Sequence, residues 1–142
     1  MSLLAGSPTH AAVYALDDSA TIVHGGIVAM QWRSATPGPR ATPSVDGRTL
    51  VSLALNTQRW AGKRGRIYMA LAPQPVRCEV RWTTRGMTLP GRIEPGQRVL
   101  VFEGIVPGPT LNDTLEVSVS ADGRELQLAQ RLRFSYEIEV LP

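Results

Sequence analysis

The sequence predicts an all-β protein, an antiparallel β-sandwich of roughly seven or eight short strands. Three observations indicate this fold class. Apolar runs recur at a spacing of roughly 8 to 12 residues, which is typical of sandwiches, and 13 glycines and 11 prolines separate them. No segment of helical length repeats its apolar positions with a helical period. With 142 residues, the chain is long enough for one domain with a sizeable core.

The strands are predicted in order along the chain, separated by glycines, prolines and polar turns. The first lies within residues 19–32, and a loop with three prolines spans 35–46. Asp122 and Gly123 form the strongest hairpin signal and lead into a last stretch over 124–141. Between that loop and this hairpin, strands are predicted over 48–56, 66–72, 76–84, 98–106 and 114–121, with a short one inside 86–96.

The last stretch alternates cleanly between apolar and polar residues in its second half. Successive side chains of a strand point to opposite faces, so this alternation predicts a half-buried strand facing a core. The apolar face carries Leu132, Phe134, Tyr136, Ile138 and Val140, and the polar face carries Arg131, Arg133, Ser135, Glu137 and Glu139.

The first strand segment, 19–32, differs because both of its faces are largely apolar. One face carries Ile22, His24, Gly26, Val28, Met30 and Trp32, and the other carries Val23, Gly25, Ile27 and Ala29. This pattern predicts a strand that is buried on both sides. The segment therefore needs burial either in its own domain or against a neighbouring chain.

The run ATIVHGGIVAM, residues 20–30, resembles the N-terminal extension of chaperone–usher pilus subunits, which carry runs of the type ATxVxGGxVxF. The resemblance implies an incomplete immunoglobulin-like sandwich that lacks its last strand and is completed by the extension of the next subunit. Such donor-strand complementation satisfies unpaired backbone groups and fills an open hydrophobic groove. It implies that the chain is a structural subunit of a pilus, or fimbria, supporting adhesion or biofilm formation.

The resemblance also assigns residues to the two sides of this contact. The implied donor-strand residues are Ile22, His24, Gly26, Val28 and Met30. A glycine among them lets the strand pass a constricted part of the groove. The implied acceptor groove is lined by Phe134, Tyr136 and Ile138. The implied partners are copies of the chain or sister pilins, a periplasmic chaperone and an outer-membrane usher, with the fibre reaching the cell surface through the periplasm.

The preceding residues, 1–18, are predicted to be either a remnant of a signal peptide or an N-terminal arm. They are small and weakly apolar and contain AAVYA, which resembles a small-residue cleavage site, but they lack a charged start. Residues 19–142 are predicted to form a single pilin-like sandwich. No apolar run reaches the length needed to span a membrane.

The basic residues are spread along the chain. The formal net charge is +3, Lys63 is the only lysine, and the arginines alternate with acidic residues over the whole length. Nucleic-acid binding requires a more concentrated basic footprint, so no nucleic-acid partner is predicted.

The sequence contains no catalytic or metal-binding constellation. His10 and His24 are the only histidines, and the lone cysteine, Cys78, lies in an apolar alternation typical of a core residue. Glycine-rich phosphate loops and nucleophile elbows are absent. We therefore predict that the protein is not an enzyme and that it binds no cofactor or metal.

The aromatic residues suggest one ligand contact. Four of them lie at apolar strand positions and are predicted to be core residues, namely Trp32, Tyr68, Trp82 and Tyr136. Trp60 instead lies in a polar, basic turn. An exposed tryptophan among cations is typical of a contact with a ligand or a neighbouring subunit. The predicted contact residues are Arg59, Trp60, Lys63 and Arg64.

Two other functions fit the same fold class. One is a self-contained β-sandwich module that binds carbohydrate or protein, in which 19–32 is the first strand of the module's own sheet. The other is a phage or virion structural protein, which shares self-assembly with a pilin. A closed module is expected to be monomeric and to depend on Trp60, whereas a pilin is expected to polymerise and to depend on Gly26.

Overall fold

Two antiparallel sheets enclose a shared core in the computed structural model, which describes residues 12–24, 31–32, 44–73, 78–122 and 133–142. The predicted all-β sandwich is confirmed. The strands of this part of the chain are β1 (Ala12–Leu16), β2 (Ile22–His24), β3 (Gln31–Trp32), β4 (Ser44–Asn56), β5 (Arg64–Leu71), β6 (Cys78–Thr84), β7 (Gly91–Ile93), β8 (Arg98–Ile105), β9 (Thr110–Asp122) and β10 (Phe134–Val140).

The sheets differ in strand order. The first sheet has the order β1–β10–β5–β8, and the second sheet has the order β2–β4–β9–β6–β7. The short β3 pairs with the same edge of β4 as β2 does, because β9 occupies the other edge along its full length. A short connection, residues 17–21, takes the chain from β1 in the first sheet to β2 in the second. The described parts of segment 19–32 therefore form an edge of the second sheet.

β4 and β9 are longer than the sequence pattern predicts. They pair over 13 residues each, from Ser44 opposite Asp122 to Asn56 opposite Thr110. The sequence pattern shortens both strands because serine, aspartate and asparagine at their ends are typical turn residues. Uninterrupted backbone pairing between β4 and β9 outweighs the turn preference of these residues.

The core lies between the sheets and takes alternate residues from each strand, as a period of two requires. Burying each large apolar side chain stabilises the fold by about 1.5 to 3 kcal/mol. Predicted core positions are confirmed for Cys78, Trp82 and Tyr136. Other fully or nearly fully buried residues are Leu53, Leu55, Ile67, Leu71, Val80, Ile93, Val106, Leu111 and Ile138.

The prediction of Tyr68 as a core residue is wrong, because its side chain lies on the outer face of the first sheet. Tyr68 stands between Ile67 and Met69, which are both buried, so alternation along β5 turns it outward. The Arg98 guanidinium lies 3.7 Å from the Tyr68 ring centroid, and Arg98 Nε lies 2.6 Å from Glu137 Oε1. A cation–π contact therefore covers a ring that the core does not hold.

Gly104, in β8, has a φ of 146°, which residues with a side chain rarely adopt. Gly104→Ala is expected to lower the free energy of unfolding by about 1 to 3 kcal/mol through backbone strain. Steric crowding adds little, since a Cβ there would meet only Phe102 Cζ, at 3.8 Å. Urea unfolding measures the loss. Gly108→Ala is the matched control, because Gly108 has open space and no left-handed φ; equal midpoints for the two variants would contradict the prediction.

Candidate functional site

The outer edge of β10 is occupied by the chain's own N-terminal strand, β1. The two strands are antiparallel, with Tyr14 opposite Ile138 and Leu16 opposite Tyr136. On its other edge β10 pairs with β5 along its whole length. β10 thus lies inside the first sheet, and β1 closes that edge of the sheet within a single chain.

The predicted acceptor residues divide into covered and uncovered positions. Tyr136 and Ile138 are 6 % and 0 % exposed and belong to the core. Phe134 lies beyond the last residue of β1 in the register and is half-buried. Burial, and to a smaller extent the charge of Asp18, raises the pKa of Tyr136 above its ordinary value, so its phenol stays protonated at neutral pH.

A 3₁₀ turn, Gln58–Trp60, contacts β1 through aromatic and cationic side chains. The Trp60 and Tyr14 ring centroids are 5.5 Å apart, with the ring planes tilted by 35°. The Arg59 guanidinium lies 4.7 Å from the Tyr14 ring centroid and 5.5 Å from that of Trp60. These three residues, termed the Tyr14 clasp below, join the N-terminal strand to the connection between β4 and β5.

The prediction that Trp60 is exposed is wrong, since the residue is only 8 % exposed and belongs to the core. The turn bends back on itself: the Trp60 N–H donates to the Thr57 carbonyl at 2.9 Å, and the Lys63 N–H donates to the Trp60 carbonyl at 2.9 Å. This bend turns the ring inward although its sequence neighbours are polar. Arg59, Lys63 and Arg64 remain exposed.

The described part of the implied donor strand, β2, pairs with β4 of the same chain. Ile22 and Val23 are 57 % and 53 % exposed, so the predicted burial on both faces is not found in the single chain. The reason is position, because β2 is a three-residue strand at the edge of the second sheet. His24 Nε2 and Ser52 Oγ lie 2.6 Å apart on the outer face. Three implied donor residues lie outside the described ranges, namely Gly26, Val28 and Met30.

Asp113 is a buried carboxylate in β9, at 9 % exposure. Its oxygens accept hydrogen bonds from the N–H groups of Gly86 (2.8 Å), Thr88 (3.0 Å) and Thr114 (2.6 Å) and from the Thr88 hydroxyl. Burial alone would raise the pKa of Asp113, but these hydrogen bonds outweigh it and lower the pKa. The carboxylate therefore anchors the connection between β6 and β7, with its oxygens engaged by the protein itself.

Groups with chemical reactivity are few in the described part of the chain. Burial raises the pKa of the Cys78 thiol, which keeps it protonated and weakly nucleophilic at neutral pH. No group of three or more histidine, cysteine, aspartate or glutamate residues in these ranges could hold a metal ion. The same ranges contain no helix that is both long and apolar enough to cross a lipid bilayer.

Sequence reasoning missed β1. Its five residues, AVYAL, fall in the segment interpreted as a signal remnant or arm. A weak signal was present, since Tyr14 and Leu16 alternate with alanine in the period of a strand. Two alanines in five residues gave too little apolar contrast to separate a strand from a leader.

No protein-family model and no curated protein matches the chain. Among solved structures, the chain is similar at 12 % sequence identity and a TM-score of 0.25 to a carbohydrate-binding module, TmCBM61, in complex with β-1,4-galactotriose. The alignment covers 95 % of this chain and 85 % of that one. A likeness at this TM-score carries no weight for the fold or for the function.

Proposed function

We propose that the chain is a structural subunit that assembles into a surface fibre by strand exchange, with the N-terminal strand of one copy seated on β10 of the next. One observation carries the proposal: β10 accepts an N-terminal strand, β1, in antiparallel pairing along its outer edge. The same contact made between copies would link subunits head to tail without a new surface. Such exchange of an identical element is a low-cost route to assembly.

The properties of β1 suit such an exchange. It has five residues, of which only Leu16 is buried, and within the described ranges no strand pairs with its outer edge. None of its side chains is charged, so nothing on it disfavours pairing with another chain. Detaching β1 would uncover backbone groups along β10 and part of the core beneath. An edge exposed in this way favours rapid capture of another strand.

The cellular setting of the proposal comes from the resemblance of residues 20–30 to pilus subunits. It supplies sister pilins, a periplasmic chaperone and an outer-membrane usher as partners, and the cell surface as the location. It also implies a different donor segment, residues 22–30, rather than 12–16.

Particle size after unfolding and refolding at high protein concentration tests strand exchange, with light scattering as the measurement. The wild type is expected to form polymers, whereas Leu16→Arg is expected to stay monomeric, because a charged side chain is costly in the core position that β1 fills. Val13→Arg is the matched control on the same strand. Val13 is 47 % exposed and opposite Glu139, so its variant is expected to polymerise like the wild type.

Gly26→Val tests the other donor segment. Polymers lost in this variant but retained in Leu16→Arg would assign the donor strand to residues 22–30, as the resemblance implies. Polymers lost only in Leu16→Arg would assign it to β1. A wild-type protein that stays monomeric under all conditions would contradict strand exchange by either segment.

The second candidate function is a self-contained β-sandwich module that binds carbohydrate or protein. It is favoured by the observation that β10 already has a neighbour on each edge within one chain. For such a module, Leu16→Arg would lower the unfolding midpoint while wild type and variant both remained monomeric. The size and stability measurements together therefore separate the two candidates.

A further inference from the structure

The outer face of the second sheet carries three arginines in one row across its strands. Arg48 in β4 is opposite Ser118 in β9, Ser118 is opposite Arg81 in β6, and Arg81 is opposite Arg92 in β7. Neighbouring strands are about 4.8 Å apart, so this arginine row extends over roughly 14 Å. All three arginines are exposed. The row thus presents a line of positive charge on an open sheet surface.

The arginine row is unfavourable for folding by itself. Like charges directly opposite each other destabilise a sheet, and Arg81 and Arg92 are in that relation. Arg81 forms an ion pair with Glu79 on its own strand. Arg48 and Arg92 form no ion pair with any residue that the structure describes. On the same face, Glu116 is engaged by Arg85 at 2.8 Å. Glu94, two residues after Arg92, is exposed and forms no ion pair with Arg92.

The outer face of the first sheet shows that this fold also pairs its arginines with acids. Arg66 is opposite Glu139 on one side and Glu103 on the other. Its Nε lies 3.4 Å from Glu103 Oε2, and its Nη1 lies 3.5 Å from Glu139 Oε1. In the first sheet, glutamates on the neighbouring strands therefore neutralise the charge of an outward-facing arginine. The second sheet places serine and arginine at the corresponding positions of its row.

We propose that the arginine row binds a sulfated polysaccharide that lies across the strands of the second sheet. Guanidinium groups bind sulfate and carboxylate groups through paired N–H donors, which makes arginine better suited to them than lysine. Ser118 adds a hydroxyl in the middle of the row. A linear set of charges on an open face complements an extended polyanion. This binding is independent of the strand exchange proposed above.

The surroundings of the row favour a polysaccharide over a nucleic acid. Single-stranded nucleic acids are held by aromatic side chains that stack on the bases beside the cations. Among the side chains that the structure describes, no aromatic one lies on the outer face of the second sheet; Trp82, in β6, is buried beneath it. Sulfate groups need cations and hydroxyls but no stacking platform, and the row supplies both.

Isothermal titration with a heparin-derived oligosaccharide at physiological salt tests the proposal. Arg48→Gln/Arg92→Gln is expected to weaken binding by at least about tenfold, through loss of two charge-assisted contacts. Arg64→Gln/Arg133→Gln removes the same charge from exposed positions away from the row and is expected to weaken binding by less than about threefold. Glu79→Gln removes the carboxylate beside Arg81 and is expected to strengthen binding, a gain that misfolding cannot produce.

Three results would overturn the proposal. Equal loss in the two double variants would mean that net charge alone attracts the ligand. Absence of heparin binding by the wild type at physiological salt would exclude the site. Tighter binding of a single-stranded oligonucleotide, lost in Arg48→Gln/Arg92→Gln, would identify a nucleic acid as the partner instead. The row variant is expected to keep or raise its melting temperature, because it removes the like-charge contact.

Discussion

Trp60→Ala is expected to lower the free energy of unfolding by about 3 to 5 kcal/mol. Trp60 closes one part of the core and packs beside Tyr14 and Arg59. Alanine would leave a cavity there and remove the ring that Tyr14 contacts. Urea unfolding followed by far-ultraviolet circular dichroism measures the loss. Because the Tyr14 clasp joins the turn to β1, amide hydrogen exchange within residues 12–16 is expected to become faster in the same variant.

Arg59→Ala is the matched control for this prediction. Arg59 contacts the same two rings, but it does so from an exposed position. A cation–π contact at an exposed site contributes about 0.5 to 1 kcal/mol, so the expected loss is correspondingly small. If Trp60→Ala destabilised the protein no more than Arg59→Ala, the assignment of Trp60 to the core would be wrong.

Asp113→Asn is expected to destabilise the protein by about 2 to 3 kcal/mol at neutral pH. The carboxylate accepts four hydrogen bonds and holds the connection between β6 and β7 against β9. An amide has one acceptor oxygen, and its NH₂ group would face either the N–H donors of Gly86 and Thr114 or the two donors of Thr88. Replacement therefore removes charge-assisted bonds and leaves buried donors without partners.

The effect of Asp113→Asn depends on pH, and the lowered pKa fixes the direction. The stabilisation by the carboxylate is fully present above the unfolded-state pKa of about 4, and it is lost as the pH falls through the lower folded-state pKa. The difference in unfolding free energy between wild type and variant is therefore expected to shrink below about pH 4. Urea titrations at several pH values measure it.

Glu116→Gln serves as the control for the pH series. Glu116 lies on the same strand and is also hydrogen-bonded, to Arg85, but it is exposed. Its replacement is expected to leave the unfolding midpoint unchanged, because exposed ion pairs contribute little. A difference between wild type and Asp113→Asn that stayed constant down to pH 3 would show that ionisation of Asp113 is not the source of the stability.

Local patterns predict the strands of this fold where one face of the strand meets the core. β10 shows nearly complete alternation of apolar and polar residues, so the sequence predicts both its type and its inward face. In β5 the run 67–71 is apolar throughout, and only the burial of its side chains alternates. Tyr68 is the exception, because an aromatic residue on the outer face looks the same as one in the core until register is known. A shift of one residue moves every side chain of a strand to the opposite face of the sheet. The sequence pattern of one strand alone does not exclude such a shift when both faces are apolar.

The candidate site depends on long-range pairing, which local patterns do not encode. The pilus resemblance implies that β10 accepts a donor strand from residues 22–30. In the fold β1 lies on β10, and the described part of the implied donor, 22–24, pairs with β4. Trp60 has polar neighbours in the sequence, such as Gln58 and Arg59. In the fold its ring packs beside that of Tyr14 in β1, which is far from Trp60 along the chain. Asp113 resembles a turn residue, and the donors that bury it come from Gly86 and Thr88 on another connection.

The pairing of β1 with β10 has a kinetic consequence. It joins Ala12 to Val140 and Leu16 to Tyr136, so it links the first and the last of the described strands. Contacts between residues so distant in the chain form slowly, because closing the long loop between them costs entropy before the stabilising contacts are made. During synthesis β1 emerges early and β10 late. In that interval β1 is unpaired, and β10 then emerges with an open edge. If strand exchange occurs as proposed above, this is the stage at which a neighbouring chain competes with β1 for β10.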